Sequence, residues 1–261
     1  MNKLILPALI LSLSFLSCGR GEESDGAEDA DESTAVTSSE SALTSELSDE
    51  VAQPMSATPE NLASTAATRV ASHLRPPGCL TKTVNGATVA SVMVDCTGPY
   101  GLVHVTGTLT AVYSRGTAGA VQVVITGTGI KANSAVIDIN ATVNATQTNG
   151  IKRAEVVANS TGTGPRGGSL SREGTYTVTY DPTAECVTLD GSWTTKVSTR
   201  TATTVVAGYK RCKGTCPAAG GTIVHTQGRV MTVTMTYDGS AVASWATAGG
   251  RSGTVNLKCG N

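Results

Sequence analysis

Long stretches in which every second residue is apolar run through this chain after residue 100, and they limit what it can fold into. In "LVHVTGTLTAVY" Val103, Val105, Gly107, Leu109, Ala111 and Tyr113 share one side, and His104, Thr106, Thr108 and Thr110 share the other. "AVIDINATVNA" sets Ala135, Ile137, Ile139, Ala141 and Val143 against Asp138, Asn140, Thr142 and Asn144. "TYTVTY", "VTLDGSW" and "MTVTMTY" direct Tyr176, Val178 and Tyr180, then Val187, Leu189 and Trp193, then Met231, Val233, Met235 and Tyr237 inward. A period of two belongs to strands, and burial on one side only belongs to antiparallel sheets with a wet face. Threonine fills the wet positions, which suits a solvated strand surface.

Turn chemistry separates these stretches about every dozen residues: "VNGA", "TGPYG", "RGTAG", "TQTNG", "YDPT" and "YDGS". The pattern predicts a mainly all-β protein of about 12 antiparallel strands. They would form a large twisted sheet, a sandwich or a closed soluble barrel. One helix is expected before them. Thr58 can cap it, Pro59 fits its first position, and Leu62, Ala66, Val70 and Leu74 recur at four-residue steps, giving an amphipathic helix over about 59–74. An outer-membrane barrel needs aromatic girdles and a bulky lipid-facing band. Aromatic residues make up 3% of this chain, which excludes that reading.

The first 17 residues, "MNKLILPALILSLSFLS", carry one early cation, Lys3, and an apolar run from Leu4 to Leu16. The run is shorter than the roughly 20 residues that span a bilayer, so it reads as a signal peptide. Cys18 follows at once. "SFLSC" resembles the lipobox of bacterial lipoprotein precursors, with Phe15 and Leu16 departing from the usual residues. The resemblance implies cleavage before Cys18 and acylation there, which makes it the lipid attachment point. It also implies the outer membrane, because Gly19 is not the Asp that holds many lipoproteins at the inner one. Residues 18–57 are acidic, rich in Ser, Thr and Ala, and free of aromatics. Such a segment cannot bury enough apolar surface to fold, so it reads as a disordered tether. Residues 58–261 form the folded domain.

The overall charge of −1 hides a division. Of 20 acids, 12 lie at or before Glu60; of 19 Lys and Arg, only Lys3 and Arg20 do. Residues 61–261 keep 8 acids and 17 bases, near +9. A cationic body attracts anionic envelope polysaccharide or lipopolysaccharide. The cations are scattered rather than striped, so nucleic acid is not expected.

Six cysteines remain after Cys18, an even number for an oxidising compartment. A hairpin turning near Thr199 sets Cys186 opposite Cys212. Cys79 and Cys96 flank the first hairpin as the natural local pair, although a two-residue Asn85-Gly86 loop leaves them two positions out of register on each strand, so a bulge or a longer loop is needed. Cys216 and Cys259 pair by default. The alternative is Cys212–Cys216 with Cys186–Cys259. "CKGTCP" offers only half of a zinc site, and no metal or cofactor is expected.

No catalytic motif emerges. "GTGPRG" matches a dinucleotide pattern, but Pro165 interrupts it and loop and strand follow where a helix is required. His73, His104 and His225 are far apart in sequence, and most carboxylates sit in turns. The combination of acidic tether, "CTGPYGLVHVTGT", "CVTLDGSW" and "GTVNLKCG" resembles the Cys-rich all-β lipoproteins of myxobacteria-like bacteria, which implies an envelope location and assigns no activity. The expected function is a non-catalytic, membrane-anchored envelope lipoprotein with a structural or adhesive role, partnered by the membrane through its N-terminal lipid. The alternatives are a binding module for an anionic glycan or lipid, and a hydrolase with a nonlocal site.

Overall fold

A computed structural model describes residues 57–69, 76, 78–97, 104–117, 120–132, 135–164, 167–184, 186–212, 215–228 and 231–256. The signal peptide, Cys18 and nearly all of the tether lie outside the described residues. A short helix, α1 (Pro59–Arg69), comes first. Thr58 Oγ1 accepts the Asn61 N–H at 3.3 Å, satisfying one of the donors a helix start leaves open. Backbone and Thr58 hydrogen bonds hold the Glu60 carboxyl below its ordinary value. Leu62 and Ala63 are fully buried. The expected continuation to Leu74 lies outside the described residues.

Thirteen strands follow: β1 (Leu80–Asn85), β2 (Thr88–Thr97), β3 (His104–Arg115), β4 (Val121–Ala132), β5 (Ala135–Thr148), β6 (Ile151–Thr163), β7 (Ser169–Asp181), β8 (Cys186–Val197), β9 (Arg200–Cys212), β10 (Thr222–Gln227), β11 (Met231–Tyr237), β12 (Val242–Thr247) and β13 (Ser252–Asn256). Each pairs antiparallel with the next, giving one sheet ordered β1 to β13 without a crossover. The sheet is not closed, since β1 and β13 are its two ends. Of the arrangements compatible with the sequence pattern, the single twisted sheet is therefore the one adopted, and neither the sandwich nor the closed barrel is. The strand count is 13 rather than about 12.

The turns explain the registers. Asn149 and Gly150 both take positive φ (52° and 82°), as a two-residue type I′ hairpin requires. The first hairpin differs from expectation. Asn85 pairs with Thr88, so the loop is Gly86-Ala87 with Gly86 at φ 57°. That register places Cys79 beside Val94, and the Val94 N–H donates to the Cys79 carbonyl at 2.8 Å. A bulge at Val94-Asp95 then brings Cys96 within bridging distance of Cys79, with Cα atoms 5.2 Å apart. The β8–β9 hairpin turns at Ser198-Thr199 and pairs Val197 with Arg200. One extra residue at Ala207-Gly208 shifts the register, so that Cys186 meets Cys212 and the two are bridged. Cys216 is also disulfide-bonded. Its expected partner, Cys259, lies outside the described residues.

The bulges share one construction. In β2, Val94 and Asp95 stand opposite Thr106, and the Asp95 N–H donates to Thr106 Oγ1 at 3.1 Å. In β4, Thr128 and Gly129 stand opposite Asp138, and the Gly129 N–H donates to Asp138 Oδ1 at 2.6 Å. In β9, Ala207 and Gly208 stand opposite Asp190, and the Gly208 N–H donates to Asp190 Oδ1 at 2.6 Å. In each the second residue has a positive φ: 51°, 63° and 60°. The opposing side chain captures the N–H that the interrupted ladder releases. Bulges of this kind bend the strand and increase the twist.

Bending is what hides the core. One face of β2 to β7 carries Met93, Leu109, Val123, Ile125, Ile137, Val143 and Val156, all nearly inaccessible. A helix of 11 residues cannot cover that many strands. The sheet coils so that its inner side chains cover one another, in one cluster reaching from Leu62 to Val197. A smaller cluster of Val206, Tyr209, Met235, Tyr237 and Ala243 continues under the later strands. There Tyr209 and Tyr237 meet edge to face, with centroids 5.1 Å apart.

The bulge clamps carry a stability prediction. Asp138→Ala and Asp190→Ala each remove a charged acceptor from a backbone N–H and should cost about 1 kcal/mol, the scale of a partly exposed hydrogen bond. Urea unfolding of the two variants measures it. Midpoints equal to that of the parent protein would show that the carboxylates do not hold the bulges.

Candidate ligand-binding face

Strand parity assigns each side chain to the inner or the outer face. On the inner face the cross-strand registers line up transverse rows. One row runs Ser160, Arg172, Thr195, Ala202, Gln227 through β6 to β10. The next runs Ala158, Gly174, Trp193, Thr204, His225, Val233, Thr247 through β6 to β12. From β8 onward these two rows are less covered, although Thr195, Val206, Tyr209, Met235, Tyr237 and Ala243 on the same face stay buried. Trp193, Thr204, His225, Gln227, Val233 and Trp245 are all half-buried. The closed core of the early strands thus opens into a trough along the later ones.

Glycines make room for the aromatic groups of this trough. Gly174 stands directly opposite Trp193, Gly191 opposite Tyr176, and Gly253 opposite Trp245. A Cβ on Gly253 would press on the Trp245 indole at 2.8 Å. Each glycine gives up its own packing so that the aromatic ring across the strand can lie over its backbone. Both tryptophans of the chain are placed in this way, on the same face.

Strand carboxylates keep to one face, while cations stand on both, with Lys131, Arg153, Lys196 and Lys210 outward. Lys82, Lys152, Arg172, Arg200 and Arg211 are at inward register positions. The strand carboxylates Asp95, Asp138, Glu155, Glu173, Asp181 and Asp190 all stand on the outer face. Outer pairs form there, with Arg153 on Glu155 at 3.2 Å and His104 Nδ1 to Asp95 Oδ1 at 3.0 Å. Inside, the cations meet aromatic faces. The Arg172 guanidinium lies 4.9 Å from the Trp193 ring centroid, and Lys152 Nζ lies 5.8 Å from that of Tyr180. Strand parity places Arg172 inward within "SLSREGTYTVTY", two steps before the inward residues named from the sequence. That signal was there to be read.

The histidines do not converge. His104 is exposed on the outer face, and His73 lies outside the described residues. His225 is on the inner face, with Nδ1 2.9 Å from Thr204 Oγ1. Its register neighbours are Thr204 and Val233, neither of them a carboxylate. Among the described residues no group of three or more His, Cys, Asp or Glu side chains could hold a metal ion. "GTGPRG" begins within β6 at Gly162 and Thr163 and is followed by strand β7 from Ser169; the Gly164 N–H donates to the Gly168 carbonyl at 2.8 Å. "YDPT" and "YDGS" are Asx turns, with Asp181 Oδ1 accepting from Thr183 and Ala184, and Asp238 Oδ1 from Ser240.

Burial pushes the His225 imidazole below its ordinary pKa, because desolvation penalises the charged form. The folded state therefore resists binding a proton that the unfolded chain accepts. The stability this contributes is present above the ordinary histidine value of about 6.5 and is lost as pH falls from there through the lower folded value. His225→Gln should flatten the difference in urea midpoint between pH 7 and pH 5. An unchanged difference would show that His225 does not set the acid sensitivity.

The chain matches no known protein family, no curated protein and no solved structure.

Proposed function

We propose that this chain is a non-catalytic lipoprotein of the bacterial cell envelope, anchored through Cys18, whose β-domain adheres to an anionic glycan along the inner face of β7 to β12. The observation that carries the reading is the one-sided placement of carboxylates: among the described strands the inner face holds cations without a carboxylate, and both tryptophans are on that face. A carbohydrate chain offers ring faces to indoles and hydroxyls to Thr, Gln and His side chains. Its acidic groups suit lysine and arginine. Lipopolysaccharide and acidic envelope polysaccharides have this chemistry.

The anchor follows from the lipobox-like leader, and the outer membrane from Gly19. Two disulfides among the described residues are compatible with an extracellular or envelope compartment. In this arrangement the acidic tether holds the domain off the membrane and competes weakly for its cationic face.

Two experiments test the reading. In a Gram-negative host the protein should incorporate labelled palmitate, and Cys18→Ala should abolish the label; labelling that survives the substitution removes the anchor. The exported protein should bind heparin at low ionic strength and release it within several hundred millimolar salt, as screening shortens from about 8 Å at physiological strength. Arg200→Glu with Arg211→Glu should weaken retention. Lys131→Glu with Lys196→Glu, on the outer face, should leave it nearly unchanged. Equal losses from both pairs would sink the inner-face assignment.

A further inference from the structure

The open sheet ends in two edges, and the chain treats them differently. At β1 the edge is guarded. Helix α1 lies against β1, β2 and β3. Lys82 stands at an inward position in the strand, and a charge turned inward discourages a further strand. The Cys79–Cys96 bridge ties the residue before β1 to β2. β13 ("SGTVN") has none of these devices. It holds no charge, no proline and no bulge, and its register against β12 runs unbroken from Ser252 opposite Ala246 to Asn256 opposite Val242. Among the described residues β12 is the strand it pairs with, and no other.

The preceding turn fixes which way the backbone groups of β13 point. The Thr247 N–H donates to the Arg251 carbonyl at 2.7 Å, whereas the Ala248 N–H turns the other way, to the Thr232 carbonyl of β11 at 3.0 Å. Arg251 thus directs its backbone to β12. These groups alternate along a strand, so Gly253 and Val255 do the same. Ser252, Thr254 and Asn256 turn their N–H and C=O away from the sheet. Such a row is a template for another strand. The Trp245 indole lies over Gly253, so an aromatic surface reaches this last strand and gains cover when the sheet is extended.

We propose that β13 pairs antiparallel with β13 of a second copy of this chain, about a two-fold axis at Thr254. The strand is complementary to itself in this register. The two Thr254 residues exchange both backbone bonds, and Ser252 of each copy exchanges both with Asn256 of the other, so every outward group is met. The two Arg251 positions stand at opposite ends of the paired segment, about 20 Å apart, well beyond the screening length of about 8 Å. A two-fold contact uses one surface twice and closes, whereas pairing β13 with β1 of a further copy would meet the guarded edge and would not close. Both inner faces then lie on the same side of one continuous sheet. With five residues from each copy, the contact is far below the size of a stable interface, so the dimer is weak.

Sedimentation equilibrium of the purified exported protein tests this. The parent protein should pass from monomer to dimer with a dissociation constant on the order of 100 μM. Thr254→Pro removes an outward N–H and leaves the ladder to β12 whole, so it should weaken association at least about tenfold with little change in thermal midpoint. Thr254→Lys and Thr254→Glu each set like charges directly opposite one another across the axis. Either variant alone should associate less than the parent, and an equal mixture of the two should recover dimer. Should Thr254→Pro not fold, the charged pair decides. A protein that stays monomeric into the millimolar range overturns the proposal. So does a dimer that the Thr254 variants leave unchanged, and so does weakening by both charges without recovery in the mixture. Growth beyond the dimer overturns it as well, and would assign the edge to β1 of a further copy.

Discussion

A single sheet has one face to hide and no second sheet to hide it. Everything else in this structure follows from that constraint. Small side chains on the inner face allow close approach, but a flat array of them would stay wet. The sheet must coil, and coiling needs local breaks in the ladder. The breaks come at Val94-Asp95, Thr128-Gly129 and Ala207-Gly208. Each is locked by a side chain on the next strand that takes up the N–H set free. Bend and clamp together convert an ordinary meander into a covered core.

The same devices govern the covalent framework. The two described bridges form only because bulges move the register: by the loop lengths alone, neither Cys79 and Cys96 nor Cys186 and Cys212 would stand opposite each other. The bridges then resist the unbending of the strands they join.

Coverage is uneven, and the uneven part is where binding chemistry collects. The inner face is closed beneath β2 to β7; beneath β8 to β12 it is half-open along Trp193, Thr204, His225 and Val233 and closed again at Val206, Tyr209, Met235, Tyr237 and Ala243. At the boundary stand Arg172 and Trp193, one buried and one reachable. Outer-face carboxylates are occupied with bulges, Asx turns and surface pairs, so they do not neutralise the inner cations. A domain with modest net charge per unit of surface thereby gains one face of a single sign.

Alternation alone determined the class, the antiparallel pairing and the inward set, because side-chain direction in a strand depends only on parity. Ala135 through Val143 and Tyr176 with Val178 are buried as their spacing required. Asn149-Gly150 was legible as a turn because only such residues take two positive φ angles in succession. Parity counted back from Tyr176 also puts Arg172 on the inner face, but it could not say what lay around it, and the inward position of His225 came only from its register with Thr204 and Val233. The bulges were not legible, since one extra residue leaves no mark on composition and is fixed by a hydrogen bond to another strand. Whether the sheet closed, stacked or stayed open was decided only in three dimensions, by the sum of many small bends. So was the row of Ser160, Arg172 and Thr195, which come from three strands and stand side by side only because each hairpin returns the chain in register.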